Sequence, residues 1–353
     1  MKIGILTFHR AYNYGAVLQC YALQEYLIHL GYDVWIIDYR QPWIEKFYHR
    51  NFLSLLRHPR GYLHYLRRKH CFVHFVSDFL HTTSPCYDSM PQNFDAYIIG
   101  SDQVWGSHCL GGTFDDFYMG KFKHDQSLLI GYAISTNKNS LYLLGKDEIS
   151  ASVERFDALS FREEKNISNV KKIAGINIKH VLDPTLILDA KLWDNIINDK
   201  WKKKNYVFLY QLRRPSNNPL ALNEEAELLA KKYNGRVIDF SSMLYTPSDF
   251  VSAIKYANCI VTSSFHATVF SLLFEKPFLC YVLEDGHDDR YENLLKDIGG
   301  TDALVSQKYY SEKVPILHYR KIQENINKLR IPSVEFLTNS LRQDEDKCNS
   351  TSL

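Results

Sequence analysis

The sequence predicts an α/β protein made of two doubly wound, Rossmann-like domains, each built on a parallel sheet. Three observations carry this. Short apolar, β-branched runs alternate with stretches of helical periodicity along most of the chain. Residues 3–39 and 259–283 each read strand–helix–strand, which makes two parallel neighbours joined by a helical crossover. Between these units, Lys200 to Asn205 forms a Lys-rich break that reads as a domain boundary.

Composition narrows the function classes. At 353 residues and 45% apolar, the chain can bury two cores, and a formal charge of +2 makes no case for nucleic acid. The 7 cysteines are scattered singly without a CxxC, against both a disulfide framework and a structural zinc site. No HxH or HExxH ligand set occurs, and no metal is called for. A strand begins almost at Lys2, leaving no room for a signal peptide, and no apolar run reaches the ~20 residues of a membrane span. A cytoplasmic, reducing compartment is expected.

The elements follow in order. Ile3 to Thr7 is a strand, Ala16 to Leu30 a helix closed by Gly31, and Val34 to Tyr39 the next strand. The intervening loop lacks GxGxxG, so a dinucleotide is not supported. Its Asn13-Tyr14-Gly15 is equally a plain turn signal. Residues 41–82 interleave Arg50, Arg57, Arg60, Arg67, Arg68 and Lys69 with aromatics, a helical insertion. It serves either as a face for anionic lipid or as a solvated basic surface.

The sheet pattern resumes at Phe94 to Ile99 and runs into Gly100-Ser101-Asp102. A small hydroxyl and a carboxylate at a strand's carboxyl end stand where open sheets bind ligands, though both are also ordinary helix caps. Leu128 to Ser135 leads into Thr136-Asn137. Arg162 ends the next strand and suits a phosphate or carboxylate, or a pair with Glu163 or Glu164. His180 to Thr185, containing Asp183, closes the first domain, residues 1–200. The second, residues 201–317, alternates four strands with helices. A helix at 318–342 is expected to pack back on the first domain, ahead of a disordered polar tail at 343–353.

The sharpest signal lies at Cys259 to Leu283. A buried strand, 259–262, is followed by Ser263 and Ser264, either of which can cap the helix that runs to Lys276 before Pro277. His266 sits in that helix's first turn, where open N–H groups favour an anion. It is either a general acid or a hydrogen-bonded structural residue.

Together these segments resemble the polysaccharide pyruvyl transferase family. The matching residues are Asn13-Tyr14-Gly15, GSDQVW at 100–105, SFRE at 160–163, LDPTLIL at 182–188, TSSFHATVFSLLFEKPF at 262–278 and Asp289-Arg290. The resemblance covers about residues 1–300 outside the insertion. It implies two domains facing a cleft, as in GT-B glycosyltransferases, with phosphoenolpyruvate as co-substrate, no cofactor, and a glycan or lipid-linked oligosaccharide as acceptor. Carried over, His266 is the general acid and Arg162 binds the donor. Ser263, Ser264, Ala267, Thr268 and Arg290 complete the donor site. Asn13, Tyr14, Gly15, Ser101, Asp102, Thr136, Asn137 and Asp183 line the acceptor side or cleft. Many relatives carry Arg-Leu before the histidine, where this chain has Ser264-Phe265, so Arg290 or the helix terminus is expected to supply the missing charge. A nucleotide-sugar glycosyltransferase and a non-catalytic glycan-binding protein are the competing readings. Peripheral contact with the anionic inner face of a membrane is a further expectation.

Overall fold

A computed structural model describes residues 1–48, 58–122, 126–136, 138–174, 178–213, 218–283, 288–306 and 313–350, without side chains at 138–139, 173–174 and 343–350. Residues 49–57 of the insertion, and Asn137, lie outside the described residues. The chain divides into two compact units. Met1–Leu66, Phe72–Leu188 and Leu329–Leu353 form the first, Arg67–Cys71 and Asp189–Lys328 the second. The division at Leu188 falls before the Lys-rich break. Trp193 packs edge-on against Phe270 at 4.8 Å and Trp201 lies 5.5 Å from Phe240, so both indoles anchor 189–205 to the second unit's core.

In the first unit, β1 (Lys2–Leu6), α1 (Tyr14–His29) and β2 (Asp33–Ile36) open a six-stranded sheet. Among the described residues the insertion then forms α2 (Pro42–Tyr48) and α3 (Pro59–Phe79). Then come β3 (Ala96–Ile99), β4 (Leu128–Ile134), α4 (Lys138–Leu144), α5 (Lys146–Glu154), β5 (Ala158–Phe161), α6 (Glu164–Ala174), β6 (Lys179–His180) and α7 (Pro184–Ile187). The strand order is β2-β1-β3-β4-β5-β6, and every pair is parallel. Such a sheet is covered on both faces, which is why β3 and β4 are buried at every position.

Along α3 the larger rings turn inward. Tyr65, Phe72 and Phe75 face inward, where Phe72 meets Tyr12 and Tyr14 and Phe75 meets Tyr21. The exposed side of α3 carries Leu63, Leu66 and Val73 among Arg60, Arg67 and His70. On α2, by contrast, Trp43 and Phe47 are exposed beside Lys46. In α3 the inward rings hold the helix by packing on Tyr12, Tyr14 and Tyr21.

The second unit has β7 (Tyr206–Tyr210), α8 (Ala221–Lys232), β8 (Arg236–Asp239), α9 (Pro247–Tyr256), β9 (Cys259–Thr262), α10 (Phe265–Leu273), β10 (Phe278–Val282), α11 (Asp289–Ile298) and β11 (Leu304–Ser306). Its order is β11-β10-β9-β7-β8, again all parallel. Thr246 and Asp249 form a reciprocal capping box that starts α9. The last helix, α12 (Tyr319–Ser350), extends past residue 342 into the segment read as a tail. Within the second unit, Gln323 Nε2 donates to Leu272 O. Within the first, Ser333 Oγ accepts from Leu182 N at 2.9 Å and Arg330 Nε donates to Leu186 O at 2.8 Å. No helix among the described residues is long and apolar enough to cross a membrane.

Candidate active site

Both sheets reverse direction of growth beside their first strand, and a doubly wound sheet binds its ligand at that switch, outside the carboxyl ends of the strands. In the first unit the switch lies between β1 and β3. The β3 end turns through Gly100, whose φ is +107°, and a Cβ there would come within 2.3 Å of the Tyr132 carbonyl. Only glycine fits so close an approach. Next to it, Ser101 Oγ donates to Ala133 O at 3.0 Å and reaches Asp183 Oδ2 at 3.4 Å. Asp102, with φ of 74°, is 14% exposed.

Arg162, at the end of β5, joins these groups. Its Nη1 donates to Asp183 Oδ2 at 2.5 Å and its Nε to Glu163 Oε1 at 3.2 Å, while Nη2 faces Asp102 Oδ1 at 3.8 Å. Glu163 also accepts from Ser135 Oγ at 2.7 Å and Asn166 Nδ2 at 3.0 Å. Burial alone would lower the guanidinium's pKa, but Glu163, Asp183 and Asp102 outweigh it and hold the charge firmly. One cation thus faces three carboxylates. An anionic ligand must compete for it, and the longer Asp102 contact is the one most easily given up.

In the second unit the switch lies between β7 and β9. Thr262 Oγ1 donates to Tyr210 O at 2.7 Å, tying the two strand ends together. Ser264 is the N-cap of α10, its Oγ accepting from Ala267 N at 3.5 Å. A cap explains serine here on physical grounds, because an arginine side chain offers no acceptor. Ser263 Oγ donates to Arg213 O at 2.9 Å, and Thr268 Oγ1 lies 3.0 Å from Ser264 O. His266 is 7% exposed in the first turn, edge-on to Phe265 at 5.1 Å. Arg213, just past β7, places Nη2 3.0 Å from Asp288 Oδ1. Arg290 lies in the first turn of α11, the helix that follows β10 in the chain.

The structure therefore brings Ser101, Asp102, Arg162 and Asp183 into one network, with Thr136 beside it through Asn166, which bonds both Thr136 O and Glu163. It groups Ser263, Ser264, His266, Ala267 and Thr268 in one turn. Asn13 is the N-cap of α1, accepting from Gly15 N at 2.9 Å, and Tyr14 is wholly buried against Phe72. Tyr14 and Gly15 thus shape the loop from within rather than lining a ligand surface. Sequence reasoning missed Arg213. Its signal was a Leu212-Arg213 pair at a strand's carboxyl end, the same rule that picked out Arg162.

The profile of one family, polysaccharide pyruvyl transferase, matches residues 13–285. No curated protein sequence matches the chain. Among solved structures, a UDP-GlcNAc 2-epimerase from Methanocaldococcus jannaschii shares 12% identity over 94% of this chain and 93% of its own, with a TM-score of 0.44. The UDP-GlcNAc 2-epimerase from Neisseria meningitidis shares 12% over 96% and 100%, with 0.43. A Streptomyces glycosyltransferase shares 9% over 95% and 96%, with 0.41. Nothing about function follows from likeness at this level.

Proposed function

The chain belongs to the polysaccharide pyruvyl transferase family, and on that premise we propose that it moves the pyruvyl group of phosphoenolpyruvate onto a sugar of a bacterial surface polysaccharide or its lipid-linked precursor. The product is a cyclic ketal, and phosphate is released. His266 delivers a proton to the methylene carbon of the donor, which becomes a methyl group and leaves C2 electrophilic. One sugar hydroxyl adds to C2, and the C2–O bond breaks with its electron pair going to phosphate. A second hydroxyl of the same sugar then closes the ring. Of the two hydroxyl protons, one ends on phosphate and the other returns to His266. Imidazole suits this exchange because its ordinary pKa is near neutral pH.

The observation that carries the reading is the second unit's switch point, where His266 stands in the capped first turn of α10 and Ser263, just before that turn, donates to the carbonyl of Arg213 past β7. That is an arrangement for a small, strongly anionic donor. The first unit's network around Arg162, rich in carboxylates and hydroxyls, suits the acceptor. Leu63, Leu66 and Val73 on the basic side of α3 suit an anionic membrane carrying a lipid-linked acceptor.

Thermal shift with phosphoenolpyruvate and with nucleotide sugars tests the donor. Stabilisation by phosphoenolpyruvate is expected. Stabilisation by a nucleotide sugar alone would turn the reading to glycosyl transfer, and by neither to a non-catalytic glycan binder. Phosphate release together with a new ketal methyl resonance tests the reaction itself.

A further inference from the structure

Away from the Arg162 network, the first unit carries a cavity of 540 Å³ formed by the segment after β2 and the loop between β3 and β4. That volume lies within the range of small-molecule sites, about 300–1,000 Å³. Its floor is aromatic. The Trp43 indole sits against Gly111, where a Cβ would come within 2.7 Å of ring atoms Cδ2 and Cε3, and Gly111 has φ of +78°. The side chain at this position must therefore be absent for the indole to lie as it does. Trp43 remains 38% exposed, and Phe47, 65% exposed, continues the aromatic surface 6.2 Å away.

Polar groups of both signs line the rest. Gln41 is buried, with Oε1 held by Ile44 N at 2.7 Å, which fixes the plane of its amide. Asp115 is held by Tyr39 OH at 2.8 Å and by Phe117 N at 2.9 Å. Lys46 and Asp116 stand at the exposed rim. An anion would meet two carboxylates and a cation would meet Lys46. The group that satisfies an exposed aromatic face together with fixed donors and acceptors is a neutral ring, apolar on one face and hydroxylated round its edge. We infer that this cavity is a sugar-binding subsite, holding a neutral hexopyranose of the acceptor glycan by stacking on Trp43.

The inference rests on the glycan-transfer reading and adds a length requirement to it. The cavity opens at the carboxyl edge of the sheet, at the β2 end, while Arg162 stands at the β5 end. Four strand spacings separate β2 from β5, roughly 19 Å. A chain lying along that edge would place one sugar at the Arg162 network and another, several residues away, on Trp43. A single sugar cannot reach both.

Saturation-transfer NMR on the full chain, with neutral methyl hexopyranosides and their oligosaccharides of increasing length, tests this without any donor. Transfer to the C–H face of the sugar is expected, with binding about tenfold weaker in Trp43→Ala, the equivalent of one aromatic stacking contact. Thr113→Trp, which fills the rim and keeps the indole, should weaken it as well, and His266→Ala should leave it unchanged. Binding that survives both pocket variants, or no saturation transfer from the wild-type chain, overturns the subsite. Sugar binding without pyruvyl transfer would instead count against the proposed reaction and leave the subsite standing.

Discussion

Arg162 and Arg213 are both arginines at the carboxyl end of a strand, yet their surroundings assign them different behaviour. Removing Arg162 leaves Asp183 and Glu163 buried without their cation, a change that costs about 3–5 kcal/mol. Arg162→Ala should therefore melt well below the wild type, and Arg162→Lys should recover only part, lacking the planar fork. Arg213 is 22% exposed and ion-paired to Asp288. Arg213→Ala should keep most of its stability and bind phosphoenolpyruvate about ten- to a hundredfold more weakly, read by thermal shift against donor concentration. Unchanged donor binding would remove Arg213 from the site. The buried Asp38 carboxylate contributes to acid stability. Burial alone would raise the pKa of Asp38, but hydrogen bonds from His9 and Arg10 outweigh it and hold the carboxyl well below the usual range. Its contribution is complete above the unfolded value of about 3.9 and is lost as pH falls below that toward the folded value. Asp38→Asn should lower stability at neutral pH and flatten the acid limb of the stability curve. An acid limb identical to the wild type would contradict this.

Among the elements, those with a strong local pattern were legible in the sequence. The apolar runs of β1, β4, β9 and β10 sit where they were read, because a strand buried on both faces has few alternatives. Ser264 as a cap and His266 in the first turn of α10 were legible for the same local reason. What was not legible depends on partners distant in the chain. Arg162 and Asp183 are 21 residues apart, and their ion pair needs β5 and the start of α7 side by side. The inward turn of Phe72 needs Tyr12 and Tyr14, far from it in sequence. With its rings turned inward, α3 offers three exposed aliphatic side chains among basic ones. Co-sedimentation with anionic vesicles at low salt should pellet the protein, and added salt should release it. Protein that stays in the supernatant at low salt would leave α3 a solvated surface.

For the whole molecule, the proposed reaction turns on His266, in the capped first turn of α10. His266→Ala decides this, with melting temperature, phosphoenolpyruvate binding and pyruvyl transfer measured on one sample. A folded variant that still binds phosphoenolpyruvate and transfers pyruvyl ~10²–10⁴-fold more slowly is expected, whereas wild-type turnover from a well-folded variant would remove His266 from the reaction.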